Sequence, residues 1–212
     1  MTQDFGKDYW EQHWQDAPDT RPDAAHRPPA NPYVARLAAE LPAGTALDAG
    51  CGTGAEAVEL AASGWDVVGA DVSASALAAA ARRAEARKLT GRVSWVQADL
   101  TSWEPERLFD LVTTNYAHPA MPQLAFYSRV ATWVAPGGTL LVVGHAHDDG
   151  ATTAHGHHPP EETVVTSADI RALLDPATWD IALAEEQPRS MTAPDGSVVT
   201  LRDVVVRAVR RS

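Results

Sequence analysis

The segment Leu47-Asp48-Ala49-Gly50-Cys51-Gly52-Thr53-Gly54 stands between a short apolar run and an alanine-rich stretch, and no other feature constrains the fold as much. Glycines at 50, 52 and 54 let a backbone turn sharply and approach a ligand that any Cβ would hold away. Such a loop belongs between a strand and a helix. The downstream sequence agrees, because short apolar runs alternate with helical stretches in the manner of a parallel sheet covered on both faces. Strands are predicted at 45–50, 66–71, 92–99, 109–116 and 138–146, and helices over 54–63, 73–89 and 123–134. Asp71 and Ser73 read as helix start signals, and Gly64, Gly91 and Gly137 are predicted to sit just past helix ends.

Both ends of the chain differ from this core. Tyr9, Trp10 and Trp14 recur at helical spacing between Asp8 and Gln15, so the two tryptophans share one face. A proline-rich linker comes next, and then Asn31 caps a second short helix whose first turn holds Pro32 and whose apolar side is Tyr33, Val34 and Leu37. Beyond 146 come a loop rich in His and Pro (147–160), a helix opened by Ser167-Ala168-Asp169, and two β-like segments flanking Asp195-Gly196, a turn signal that predicts an antiparallel hairpin.

The composition bounds the function. A chain of 212 residues with 45% hydrophobic positions is long enough to bury a core and fits one domain. The lone Cys51 excludes an internal disulfide and suits a reducing compartment. No run of 18 apolar residues occurs, and the start MTQDFGKDYW lacks the basic and apolar character of a signal peptide, so a cytoplasmic location away from membranes is expected. With 28 acidic against 17 basic residues and a net charge of -11, nucleic acid is a poor partner. A small molecule is the expected partner, and the chain a monomer or homodimer.

Three more polar residues close predicted strands: Asp71, Asp99 and Asn115. In an open α/β sheet those ends line the ligand crevice. Asp71, about 20 positions past the glycine loop, suits ribose hydroxyls, and Asp99 can accept from an exocyclic adenine amine. Gly50, Gly52 and Ala55 also fit the dinucleotide pattern, which leaves an NAD(P)-dependent oxidoreductase open. Against it, no Tyr-x-x-x-Lys pair is present, since the only lysines are Lys7 and Lys88.

The motifs LDAGCGTG (47–54), VVGADVS (67–73), WVQADL (95–100), FDLVTTNYAH (109–118) and VAPGGTLLVVGH (134–145), in this order, resemble class I S-adenosylmethionine-dependent methyltransferases. The N-terminal DYWEQHW is similar to the small-molecule branch that includes tellurite-resistance and thiopurine methyltransferases. The resemblance implies one doubly wound, mostly parallel seven-stranded α/β sheet of the Rossmann-like methyltransferase type, with a C-terminal antiparallel hairpin and an N-terminal helical lid. It divides a single domain (1–212) into lid and linker (1–44), cofactor-binding core (45–146) and terminal region (147–212).

Carried over by position, the resemblance places the methionine part of S-adenosyl-L-methionine over Gly50, Cys51 and Gly52, with Asp48 accepting from its ammonium. Asp71 would hold the ribose, Val72 would lie against the adenine, and Asp99 with the Leu100 backbone would meet the adenine edge. Asn115 and Tyr116 would lie beneath the sulfonium at the acceptor mouth. Tyr9, Trp10 and Trp14 would close over the site, Trp14 against the cofactor and Tyr9 and Trp10 toward the acceptor. The expected products are S-adenosyl-L-homocysteine and a small, flat aromatic or heterocyclic molecule methylated on N, O or S; a protein that binds the cofactor without methylating stays open.

His118 and His145, each at a predicted strand end, face the acceptor and are candidate bases. The cluster His145, His147, His155, His157, His158, Asp148 and Asp149 matches no closed zinc pattern, so no metal is expected. Cys51 reads as a packing residue. The sequence Asn115-Tyr116-Ala117-His118 departs from the Asn/Asp-Pro-Pro-aromatic motif of methyltransferases acting on adenine or glutamine amides. The Asp-Asn pair that binds magnesium in catechol methyltransferases is absent.

Overall fold

A computed structural model describes residues 5–17, 29–146, 165–192 and 198–212. The elements are α1 (Lys7–Asp16), α2 (Pro32–Glu40), β1 (Thr45–Ala49), α3 (Ala55–Ala62), β2 (Asp66–Asp71), α4 (Ala74–Ala86), β3 (Val93–Gln97), β4 (Phe109–Asn115), α5 (Gln123–Ala131), β5 (Val134–His145), α6 (Ser167–Leu173), β6 (Trp179–Thr192) and β7 (Val198–Arg210). One seven-stranded sheet runs β3-β2-β1-β4-β5-β7-β6. Its first five strands are parallel, and β7 enters antiparallel to both β5 and β6. The order reverses between β1 and β4, so the ligand crevice of such a sheet opens where the carboxyl ends of those two strands diverge.

Strand alternation divides the core. Ala46, Val67, Leu111, Leu141, Val143 and Val205 point to one face, where α2 and α3 cover them with Val34, Leu37, Ala57 and Leu60. Their neighbours Leu47, Val112, Leu140, Val142, Val204 and Val206 point to the other, under Phe126, Val130 and Ile170 of α5 and α6. A strand buried on both faces needs such continuous apolar sequence, and this is what the runs at 45–50 and 138–146 carry.

Most boundaries fall within a few residues of the sequence reading, with two physical differences. The turn that ends α4 places Lys88, not Gly91, in the left-handed region (φ 58). Gly137 (φ 79) lies not past a helix but inside β5, which starts earlier than expected because Val134 pairs with Phe109 before the register shifts toward Leu111. Helix α6 opens at Ser167 as expected, with Thr166 before it in a reciprocal capping box with Asp169. The loop 147–160 and the Asp195-Gly196 turn lie outside the described residues. Among the described residues no helix is long and apolar enough to cross a membrane.

Candidate active site

The glycine loop leaves β1 and enters α3 through three left-handed glycines, and at all three a side chain would collide with neighbouring atoms. A Cβ on Gly50 (φ +78) would stand 2.4 Å from the Ala117 Cβ, and one on Gly52 (φ +49) would stand 2.9 Å from Cζ2 of Trp14. The loop is tied down beneath. The N–H groups of Gly50 and Cys51 donate to the Ala70 carbonyl at 2.8 and 3.1 Å, and Gly52 N–H donates to Asp71 Oδ2 at 2.8 Å. Asp71 Oδ1 accepts from Ser73 N–H at 2.9 Å. This buried carboxylate therefore joins the glycine loop to the start of α4, and burial raises its pKa.

Asp48 lies deeper. It is 1% exposed, and Oδ2 accepts from Ala57 N–H at 3.1 Å. Burial, then the neighbouring Glu56 carboxylate, push its pKa well up. Glu56 Oε1 accepts from the Asn31 N–H at 3.0 Å. Burial thus disfavours the charged form of both acids, which Glu56 offsets in part through Arg83 and Arg189. Asp99 is exposed, and Oδ1 is turned onto its own loop by Thr101 N–H (2.9 Å) and Oγ1 (2.7 Å). Leu100 is buried, and its carbonyl accepts from Arg129 Nε at 2.9 Å. Val72 is half-buried, and Gln97 Nε2 donates to its carbonyl. Cys51 is buried, and burial pushes its thiol pKa up, consistent with packing.

A second polar group lies where β4 ends. Asn115 Nδ2 donates to Thr113 Oγ1 at 3.0 Å, while its Oδ1 is buried with no partner among the described residues. Tyr116 is held in the left-handed region (φ 53). Its hydroxyl donates to Asp203 Oδ1 at 2.8 Å and accepts from Arg189 Nη2 (3.0 Å) and Asn31 Nδ2 (3.2 Å). Burial and then Asp203 keep this phenol protonated. The Tyr116 ring lies 4.6 Å from the His145 ring, which stacks 6.0 Å from that of His118.

Gln123 orients His118. Its Nε2 donates to the Ala117 carbonyl at 2.9 Å, which turns Oε1 toward His118 Nδ1 at 3.2 Å. The proton thus sits on Nδ1 and the lone pair on Nε2. Burial lowers the pKa of this imidazole.

The helix expected from the N-terminal aromatic spacing is present as α1. Trp14 lies against Gly52, Trp10 Nε1 donates to the His118 carbonyl at 3.0 Å, and Tyr9 packs edge-on to Trp10 at 5.1 Å. The structure therefore gathers Trp14, Asp48, Gly50, Cys51, Gly52 and Asp71 at one end of the crevice and Trp10, Asn115, Tyr116, His118 and His145 at the other. His147, His155, His157, His158, Asp148 and Asp149 lie outside the described residues. Among those described, no three His, Cys, Asp or Glu side chains converge as metal ligands.

Sequence reasoning missed Glu11, Glu56, Gln123, Arg189 and Asp203. The last two had a readable signal: in the hairpin Gln187 pairs with Asp203 and Arg189 with Leu201, so Arg189 and Asp203 are diagonal neighbours on one face.

The site fits an adenosyl cofactor with a cationic amino-acid tail. The glycine loop exposes backbone without side chains at 50, 52 and 54, buried carboxylates lie beside it, and the Asn115 oxygen lacks a donor among the described residues. Residues 46–138 match a family described as a methyltransferase domain. Thiocyanate methyltransferase 1 of Brassica oleracea is 30% identical over 192 residues, covering 88% of this chain and 80% of that protein. Probable thiol methyltransferase 2 of Arabidopsis thaliana is 30% identical over 139 residues, 63% of this chain and 60% of its own. Among solved structures, TehB from Haemophilus influenzae superposes with a TM-score of 0.70 at 16% identity, over 96% of this chain and 67% of that one, a likeness of fold.

Proposed function

This chain belongs to the class I S-adenosylmethionine-dependent methyltransferases, and from that premise we propose that its acceptor is a small sulfur nucleophile, a thiol or thiocyanate-like molecule, bound beneath α1. One observation carries the reading: the similarity to a thiocyanate methyltransferase runs through nearly the whole chain. The bound cofactor supplies an electrophilic methyl group on a positively charged sulfur.

The residues then have separate tasks. Gly50, Cys51 and Gly52 carry the amino-acid tail over their backbone, and Asp48 meets its ammonium through the loop. Asp71, held by its bonds to Gly52 and Ser73, would accept from the ribose hydroxyls. Val72, Asp99 and Leu100 border the adenine. Trp14 covers the cofactor, and Trp10, Tyr9, His118 and His145 wall the acceptor. Asn115 and Tyr116 would floor it, and the Asn115 oxygen, without a donor among the described residues, is available to the site.

Alignment and exclusion of water are the main contribution, because holding two reactants in line is worth about 7–11 kcal/mol. His118 Nε2 accepts the proton of a thiol acceptor, which a thiocyanate-like anion does not need. The row of rings from Trp10 to Tyr116 favours a flat heteroaromatic thiol over an aliphatic one.

The test begins with calorimetric titration of ligand-free protein with S-adenosylmethionine, S-adenosylhomocysteine, NAD and NADP. Binding of the first two alone is expected. The second stage is a mass-spectrometric screen of thiocyanate, aliphatic thiols, heteroaromatic thiols, amines, phenols and carboxylic acids. Methylation confined to oxygen or nitrogen acceptors would refute the sulfur assignment.

A further inference from the structure

Helix α1 buries none of its residues, yet it covers the crevice, so a few directional contacts must hold it in place. Trp14 rests on Gly52 and Trp10 bonds to the His118 carbonyl. The third contact is electrostatic. Glu11 Oε2 accepts from Ser73 Oγ at 2.8 Å and from Ser75 N–H at 3.3 Å, and Oε1 accepts from Ser75 Oγ at 2.5 Å. Gln15 Nε2, one helical turn on, donates to the same Oε1 at 3.1 Å and aims the carboxylate. Ser73 caps α4, its Oγ also accepting from Ala76 N–H at 3.1 Å, so Glu11 meets the positive pole of a 13-residue helix.

We propose that Glu11 is the latch of α1: its contact with Ser73 and Ser75 holds the lid over the crevice and sets the rate at which cofactor leaves. The inference rests on the reading that the cofactor lies across the glycine loop. With Trp14 on Gly52 and Trp10 tied to His118, α1 must lift for the cofactor to pass. The free energy of every α1 contact therefore enters the opening equilibrium, and a carboxylate accepting three hydrogen bonds from α4 is the strongest polar one. Its pKa, brought down to about 2 chiefly by Ser75, agrees with that strength. Ser73 lies two residues past Asp71, so the latch closes on the turn that carries the ribose-binding candidate. Glu11 is a positioning residue, apart from the reacting atoms.

The experiment is a chase of labelled S-adenosylhomocysteine by unlabelled excess from wild type, Glu11→Ala, Ser75→Ala and the double variant. Glu11→Ala is expected to raise the dissociation rate about tenfold or more. Ser75→Ala is expected to raise it less, and the double variant no further than Glu11→Ala. A Glu11→Ala rate within about twofold of wild type, or fully additive effects, overturns the latch. Acrylamide quenching of tryptophan fluorescence in the ligand-free proteins gives a readout independent of the cofactor. Quenching should rise in Glu11→Ala while the thermal melt holds, and unchanged quenching refutes the latch. Failure of wild type to bind S-adenosylhomocysteine would instead overturn the placement of the cofactor.

Discussion

Asp203→Asn tests the buried network behind the acceptor. Asp203 is 0% exposed; Oδ2 accepts from Arg189 Nε at 2.7 Å and Oδ1 from the Tyr116 hydroxyl at 2.8 Å. An asparagine there removes the charge that balances the guanidinium and sets an NH2 group against one of the two donors. Breaking a buried ion pair from one side costs about 3–5 kcal/mol. Asparagine keeps one acceptor, and 22% of the Arg189 side chain reaches solvent, which favours the lower end, about 3 kcal/mol. In a chain of this size each kcal/mol moves the melting temperature by about 2–4 °C, so Asp203→Asn should melt about 6–12 °C below wild type. Differential scanning calorimetry measures this directly. Adding Arg189→Met to Asp203→Asn removes the unbalanced guanidinium and should recover part of the loss. A single variant within about 2 °C of wild type would show that the pair contributes little, and the reasoning from its burial would fall.

The same geometry predicts two other outcomes. Asp71→Asn presents a donor to the Gly52 or Ser73 N–H, so S-adenosylhomocysteine affinity by calorimetry should fall about tenfold or more; a change under about threefold would remove Asp71 from the cofactor site. His118 is held neutral by burial, with a folded pKa below the ordinary 6.5. Its burial therefore favours the fold fully above pH 6.5, and that advantage is lost as pH falls from 6.5 toward the lower folded value. The urea midpoint should drop over that interval in wild type and drop less in His118→Asn, whose amide can keep the bond to Gln123; equal drops would place His118 in contact with water.

Features of short range were legible in the sequence. The glycine loop, the strand-end acids and the aromatic spacing of α1 each declare themselves within a few residues, because backbone freedom and side-chain period are local properties. Asn31 was readable as the cap of α2, and it does accept from Tyr33 N–H at 3.0 Å. Its other two bonds, to Glu56 and Tyr116, reach 25 and 85 positions along the chain and leave no local pattern. Glu11 is hidden in the same way: within KDYWEQHWQD it reads as one more solvated acid, and its partners Ser73 and Ser75 are 62 and 64 positions away. The misplaced role for Gly137 has a different cause. Glycine permits a left-handed turn wherever one is needed, and here the need arises from a register shift in β5, which only the pairing with β4 reveals.

The distribution of charge separates the two halves of the crevice in a way that bears on the acceptor. Glu11, Asp48, Glu56 and Asp71 surround the glycine loop, an arrangement that disfavours an anion and favours the cationic groups of the cofactor. The acceptor half holds His118, His145 and Arg189, but Arg189 is committed to Asp203 and His118 is kept neutral by burial. Neither Arg189 nor His118 therefore offers this half a free positive charge. A neutral or singly charged, polarizable nucleophile enters it without losing strong solvation, whereas a multiply charged carboxylate would have to give up its water without a guanidinium or ammonium of its own to receive it.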